Sequence, residues 1–371
     1  MAIYKIFPTK DTTLYSMYPD KNTGLDSILE ASLSVNEYPN AAPQTSRFLV
    51  QFSTDDITDI INNKISGSQW EVNLKCFVSN ITGLNSDTTL EIYPVSQSWN
   101  LGTGKYTSDP EVQNGASWVW KDYYSGSKWT TGTFNPGTTG SYSSSVSVGG
   151  GTWFVTQSLS GSQTFDYYSS KDLNVDTTNI VSAWYSGSYD NNGFIVKQKD
   201  EFINSINVQP KIKYFSIDTN TIYPPCLEFK WNDCTINTGS STLTTINTLP
   251  FVASIGGNLG FYYPGSISKF RVNCRPEYPA RTFSTSSYYI QNYYLPTSSY
   301  YAIKDLDTNE YVIDFDTTYT KLSIDETSSY FTLYMDGLEP ERYYKILIKT
   351  VINGNTIILD DDYYFKVING Q

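Results

Sequence analysis

The sequence contains no histidine, so the side chain that most often moves protons or binds zinc near neutral pH is missing. Ser-His-Asp triads, Cys-His pairs and His-ligated zinc are excluded at once. Four cysteines, Cys76, Cys226, Cys234 and Cys274, show no Cys-x-x-Cys spacing. They read as small buried apolar residues of strands; Cys226 and Cys234 could approach across a turn, but a reducing compartment disfavours a bridge. Glycoside hydrolysis needs two carboxylates roughly 5–10 Å apart. Asp360-Asp361-Asp362 forms a run on an expected hairpin turn, where neighbours point to opposite faces or into solvent. Glu71 and Glu91 lie in alternating strands with no second acid fixed opposite either. No catalytic constellation emerges, and the chain is expected not to be an enzyme.

Two loops carry enough oxygen ligands to consider calcium: one holds Asp20, Asn22 and Asp26, the other Asp190, Asn191 and Asn192. Neither has a full ligand spacing, and such side chains serve equally well to cap their own backbone in turns. No metal or cofactor is expected. Sugar recognition uses aromatic faces stacked on pyranose rings. Trp118, Trp120, Trp129 and Trp153 are the candidate glycan-binding residues, all within a stretch (about 105–163) dense in Gly, Ser, Thr and Tyr. The competing reading places them in the core between that stretch and the rest of its domain, since Trp is mostly buried. Trp99 and Trp184 read as structural.

The elements that must position these residues follow from composition and pattern. Of 371 residues, 39% are hydrophobic, 17% charged and 16% aromatic, with 32 Tyr and 8 Trp. That is the length of two to three domains and the profile of a folded chain rather than a disordered one. No apolar run approaches the ~20 residues of a membrane helix. The 25 basic and 37 acidic residues give a net charge of −12, which argues against nucleic acid as the main partner. Lys5 and Pro8 interrupt the only apolar stretch at the N-terminus, unlike a secretory leader, so the protein is expected to be made and kept in a cytosol, or to leave it by lysis.

Runs of alternating apolar and polar residues, such as Ser46–Phe52, Trp70–Val78 and Thr89–Tyr93, predict half-buried antiparallel strands. A helix is expected over Asp55–Ile65, where Ile57, Ile60, Ile61 and Ile65 recur at helical spacing behind a Thr54 or Asp55 cap. A second short helix is expected over Thr178–Trp184, capped by Asp176 or Thr177. Short strands such as Phe251–Ile255 follow in the 234–282 region. Residues 283–371 hold candidate strands at Tyr300–Lys304, Tyr311–Phe315, Lys321–Ile324, Tyr330–Met335, Tyr343–Val351 and Thr356–Val367. Five Tyr-Tyr doublets, at 288, 293, 300, 343 and 363, would each place one ring on either face of a strand. The outward ring suits a protein covered by neighbours.

From Lys10 to about Trp231 the chain resembles the DNRLRE family of jelly-roll domains, grouped with carbohydrate-binding modules. The fragments that carry the resemblance are Asp11-Thr12-Thr13-Leu14-Tyr15 with Asn22-Thr23-Gly24, Ser46-Arg47-Phe48-Leu49-Val50-Gln51-Phe52, Leu90-Glu91-Ile92-Tyr93, Ser98-Trp99 and Gly115-Ala116-Ser117-Trp118. The most specific is Leu173-Asn174-Val175-Asp176-Thr177-Thr178 with Val181, Trp184 and Asn192-Gly193-Phe194. The 105–163 stretch departs from the family pattern in length and in Ser and Gly content. The C-terminal segment resembles a fibronectin type III or immunoglobulin-like domain: Leu338, Pro340 and Tyr344 fit a tyrosine corner, in which a buried Tyr bonds its hydroxyl to nearby backbone. After it, Lys345 and Lys349 are expected to face away from Tyr344, Ile346 and Ile348.

The expected architecture is all-β: a jelly-roll β-sandwich (1–233, with the 105–163 insertion), a short β-rich connector (234–282) and an Ig/fibronectin III-like β-sandwich (283–371). This combination resembles virion proteins of tailed bacteriophages. The resemblance implies a non-enzymatic structural component of the tail, neck or fibre-attachment region. Its partners would be other virion proteins, with the chain in symmetric copies or as a homo-oligomer, and it would bind neither nucleic acid nor membrane. The alternative is a carbohydrate-binding module that recognises a host-surface glycan.

Overall fold

The computed structural model describes residues 2–34, 44–67, 69–84, 87–129, 139–143, 148–155, 157–199, 201, 210–241, 243–278 and 293–369. Strand accounts for 47% of the chain and helix for 8%; the protein is all-β, of the β-sandwich class. Two compact units divide it. The first comprises Ile6–Lys64 and Glu71–Glu228, and the second Met1–Lys5, Ile65–Trp70 and Phe229–Gln371. The expected boundary at 233/234 is therefore displaced, and the expected connector 234–282 supplies strands to the second unit instead of standing apart. The 282/283 boundary and the Tyr288-Tyr289 doublet lie outside the described residues.

In the first unit the strands include β1 (Lys10–Tyr15), β2 (Ile28–Ser34), β3 (Gln44–Gln51), β4 (Trp70–Cys76), β5 (Val78–Thr82), β6 (Thr88–Pro94), β7 (Val148–Phe154), β8 (Gly161–Phe165), β9 (Leu173–Asp176), β10 (Phe194–Gln198) and β11 (Lys211–Phe215). The main sheet runs β8-β6-β10-β3-β2-β11-β5, with β1 also on β3. Every one of its pairings is antiparallel. β9 pairs with β4 through Leu173–Asp176. The alternation in β6 matches a half-buried strand, buried and intermediate positions taking turns. β3 and β10 differ: β3 is buried from Thr45 to Val50 and β10 throughout. Leu14, Leu49 and Ile195 on one face are covered by Trp118, Trp129 and Trp153, while Phe48 meets Tyr214 at 5.7 Å between ring centroids. A second covered face is what turns half-buried strands into fully buried ones.

Both expected helices form. α1 (Thr54–Asp59) continues as a π-helical turn over Ile60–Lys64. Its cap is Ser53, one residue before the expected Thr54, because the Ser53 side chain accepts the Asp56 amide. α2 (Thr178–Tyr185) buries Ile180, Val181 and Trp184; Asp176 Oδ1 accepts from the Thr178 amide at 2.9 Å, while Thr177 makes no side-chain cap bond.

The second unit holds β12 (Phe251–Gly256), β13 (Phe261–Tyr262), β14 (Ile267–Pro276), β15 (Tyr300–Asp305), β16 (Tyr311–Ile313), β17 (Ser329–Tyr334), β18 (Arg342–Ile352) and β19 (Asn355–Val367). One sheet has β14 between β12 and β17; the other runs β13-β19-β18-β15-β16. Between them lies a core that includes Phe270, Phe331, Tyr301, Tyr344 and Phe365, with Phe270, Phe331 and Tyr301 stacked at 5.2 and 4.3 Å. The tyrosine corner is present: Tyr344 Oη donates to the Glu339 carbonyl at 2.8 Å, and Leu338 and Tyr344 are buried. Asp360–Asp362 is not a hairpin turn. Ile346 faces Tyr363 and Ile348 faces Leu359, so three aspartates bulge from β19 opposite Leu347 alone.

Two measurements check this core. Tyr344→Phe removes the corner bond while keeping the ring, and a loss of about 1–2 kcal/mol is expected in chemical denaturation. In the first unit, Asp11 is 1% exposed and accepts the Ile217 amide at 2.8 Å. Burial, reinforced by the charges of Asp218 and Asp26, raises its pKa to about 7 against the Ile217 bond. The folded chain thus holds this proton more tightly than the unfolded one. The resulting stabilisation is complete below the ordinary value of 3.8 and is lost as pH rises through about 7. Asp11→Asn is expected to flatten the pH dependence of the melting temperature and to stabilise the chain by about 2–4 kcal/mol at pH 8.

Candidate functional site

The four tryptophans proposed for glycan stacking do not form an open platform. Trp118, Trp129 and Trp153 are at most 2% exposed and present no face to a ligand, which corrects the glycan-binding assignment for these three. They enclose Arg47 of β3, whose guanidinium carbon lies 4.9 Å from the Trp118 ring and 5.0 Å from the Trp153 ring. Arg47 Nε and Nη2 each stand 2.9 Å from Glu201 Oε2, both side chains having no exposure, and Nη1 donates to the Gly150 carbonyl at 2.5 Å. Lys197 of β10 sits nearby, 2% exposed, bonded to Glu91 at 2.7 Å and 5.9 Å from the Trp153 ring. Trp129 Nε1 donates to the Ser117 carbonyl. Only Trp120 is half-buried; its Nε1 donates to Asp20 at 2.7 Å, Lys128 lies over its ring at 4.6 Å, and Tyr123 meets it edge-on.

In both loops weighed for calcium, asparagine side chains bond within the fold. Asn22 is fully buried and makes four amide bonds, donating to the Leu101 and Ala116 carbonyls at 2.8 Å and accepting from the Gly24 and Gly104 amides. A Cβ on Gly104 would stand 2.1 Å from the Asn22 carbonyl oxygen, so the approach needs glycine there. Asn191 donates to the Phe52 carbonyl and to Thr54, and the Asn192 carbonyl accepts from Trp99. Among the described residues no group of three or more His, Cys, Asp or Glu side chains is disposed to hold a metal ion. Cys76, Cys226 and Cys274 are buried and all four cysteines are free thiols; burial pushes the Cys76 thiol well above its usual range.

Accessible aromatic chemistry lies in the second unit, on the outer face of the sheet β13-β19-β18-β15-β16. Two doublets split as their spacing requires: Tyr344 and Tyr301 point inward with 1% and 0% exposure, whereas Tyr343 is exposed and Tyr300 half-buried. Directly paired residues share a face, so register lays out the outer surface in rows. Phe261, Lys366 and Tyr343 form one; Tyr364, Lys345, Lys304 and Tyr311 form the next; Ile358, Lys349 and Tyr300 form a third. Each lysine lies along a ring: Lys366 on Tyr343 at 5.6 Å, Lys345 on Tyr364 at 5.5 Å, Lys304 on Tyr311 at 5.3 Å, and Lys349 on Tyr300 at 5.4 Å and Phe315 at 4.6 Å. Lys345 is bonded to Asp360 and Asp362, which hold its ammonium above the usual range.

Lys345 and Lys349 face outward as expected, but sequence reasoning missed Lys304, Phe261, Leu306 and Ile358 as part of one surface. The signal was present only as alternation within single strands; which strands lie side by side was not readable from spacing. The small apolar gap between the two sheets of this unit, lined by residues such as Ile255, Val272, Ile346 and Leu359, brings no convergent polar groups beyond Ser254 and Asp361 at its lining.

No helix is long and apolar enough to cross a membrane among the described residues. No protein-family model matches the sequence, and no curated protein matches it either. Among solved structures, the chain is similar to a DUF4785 family protein from Legionella pneumophila, at 8% identity and a TM-score of 0.16, over 99% of this chain and 64% of that one. It is also similar to a β-glucuronidase from Bacteroides uniformis, at 8% identity and a TM-score of 0.17, over 98% of this chain and 35% of that one. The chain thus spans less than two thirds of the length of either, and likenesses this slight carry no argument about activity.

Proposed function

We propose that this chain is a non-enzymatic structural component of a tailed-bacteriophage virion, in the tail, neck or fibre-attachment region, and that it acts by docking folded β-surfaces on neighbouring proteins. The observation that carries the docking part is the outer sheet face of the second unit. Phe261, Leu306, Tyr311, Tyr343, Ile358 and Tyr364 on it are each 38–59% exposed. A solvated sheet face normally carries polar side chains, and contiguous exposed apolar surface marks an interaction site. Tyrosine suits this use because it gives large rigid area at low entropy cost. The virion assignment draws on the sequence resemblances of both halves.

The glycan reading is left with Trp120 alone, whose ring is already engaged by Lys128 and Tyr123. Gradient-purified particles from the source culture, analysed by quantitative mass spectrometry, test the proposal. The chain is expected at a fixed ratio to the major capsid protein, and Tyr311→Ser with Tyr343→Ser is expected to cut its incorporation by about tenfold without loss of fold. A chain found only in the soluble fraction, or one whose binding to a glycan array is abolished by Trp120→Ala, would contradict it.

A further inference from the structure

The outer face of the second unit's five-stranded sheet segregates its charges. On the β19 side, Asp360 and Asp362 are exposed and both bonded to Lys345, and Asp362 also accepts from the Tyr364 hydroxyl at 2.6 Å. Two carboxylates against one ammonium leave this edge acidic. On the β15–β16 side, Lys304 leans over Tyr311, and Lys349 over Tyr300 and Phe315. Neither forms an ion pair among the described residues. The acids beside them are engaged elsewhere: Asp307 with Arg342 at 3.6 Å, and Asp314 with the Phe315 amide at 2.7 Å. At the remaining end of the face, Lys366 is paired with Glu341 at 2.5 Å.

We infer that this face docks on a second copy of the same chain, about a two-fold axis running along β18. Such a rotation carries the β19 edge of one copy over the β15 side of the other. Along the strands, the aspartate bulge lies level with Leu347, between the row of Lys304 and the row of Lys349. Those two rows are four residues, about 13 Å, apart. The carboxylates of one copy therefore come to rest between the two free ammonium groups of the other, and the symmetric contact repeats it, as an isologous interface requires. The exposed rings of Tyr311, Tyr343 and Tyr364 fill the space between, while a partner of one charge sign would leave one half of the face unmatched. This inference rests on the docking reading and names its partner.

The test is sedimentation equilibrium of the full chain at physiological ionic strength, up to roughly 100 μM, a concentration that detects even weak association. A reversible dimer is expected. Lys304→Glu with Lys349→Glu, and separately Asp360→Lys with Asp362→Lys, are each expected to weaken it at least about tenfold. An equimolar mixture of the two variants is expected to restore it as a heterodimer. A wild-type monomer, a dimer indifferent to both reversals, or a mixture that stays apart would overturn the inference. Should either variant fail to fold, lysine acylation of the wild-type chain read by mass spectrometry decides: Lys304 and Lys349 protected at high concentration supports it, and reactivity unchanged by dilution overturns it. A monomer that still joins particles at a fixed ratio overturns self-docking alone; one that does not join them overturns the docking reading as well.

Discussion

The first unit depends on a cation that cannot be neutralised. Arg47 keeps its charge at any pH a protein meets, and its side chain has no exposure. Burying such a group is tolerable only with a paired anion and a full set of acceptors. Glu201 supplies the anion, the Gly150 carbonyl accepts from Nη1, and the faces of Trp118 and Trp153 flank the guanidinium. The requirement reaches into backbone: Gly150 sits at φ +81°, and a Cβ there would stand 2.5 Å from Arg47 Nη1. Segments from β3, β7, the Trp118 loop and Glu201 are thereby held to one geometry. Each buried tryptophan adds roughly 4–6 kcal/mol of apolar transfer free energy to the same place.

This constraint also decides which aromatic residues are free to meet a partner. Tryptophans that wall a buried guanidinium have no face left to offer, so the Gly- and Ser-rich insertion covers its sheet and is not an open ligand platform. In the second unit the opposite holds. Tyr344 spends its hydroxyl on the corner and its ring on the core, while its neighbour Tyr343 must point outward because successive side chains in a strand alternate. Lysine stems laid on the outward rings keep the face soluble while leaving the rings partly accessible. Tyrosine doublets thus build core and surface from one sequence device.

Local pattern revealed much of this and neighbourhood revealed little. The strands of the second unit, the tyrosine corner and both helices follow from period and turn chemistry, which act over a few residues. The Ser53 cap differs by one position because either hydroxyl fits the same composition. β3 looked half-buried because its residues alternate apolar and polar; the burial of Arg47 depends on Glu201 and Trp153, more than 100 positions away in sequence. Asn22 looked like a turn residue or a calcium ligand, and its role in clamping the Leu101–Ala116 loop needs the fold. Asp360–Asp362 looked like a hairpin turn because acidic runs favour turns, whereas the real turn is Asn353-Gly354, both at positive φ.

The central claim is that the aromatic residues divide, with the tryptophans of the first unit sealed in a cationic core and the tyrosines of the second unit turned out for contact. Hydroxyl-radical footprinting of the full chain, read residue by residue by mass spectrometry, tests it most directly. The account predicts rapid oxidation of Tyr311, Tyr343, Tyr364 and Phe261 in the dilute chain, with Trp118, Trp129 and Trp153 protected throughout. Oxidation of those three tryptophans at the rate of the exposed tyrosines, in a folded chain, would contradict it.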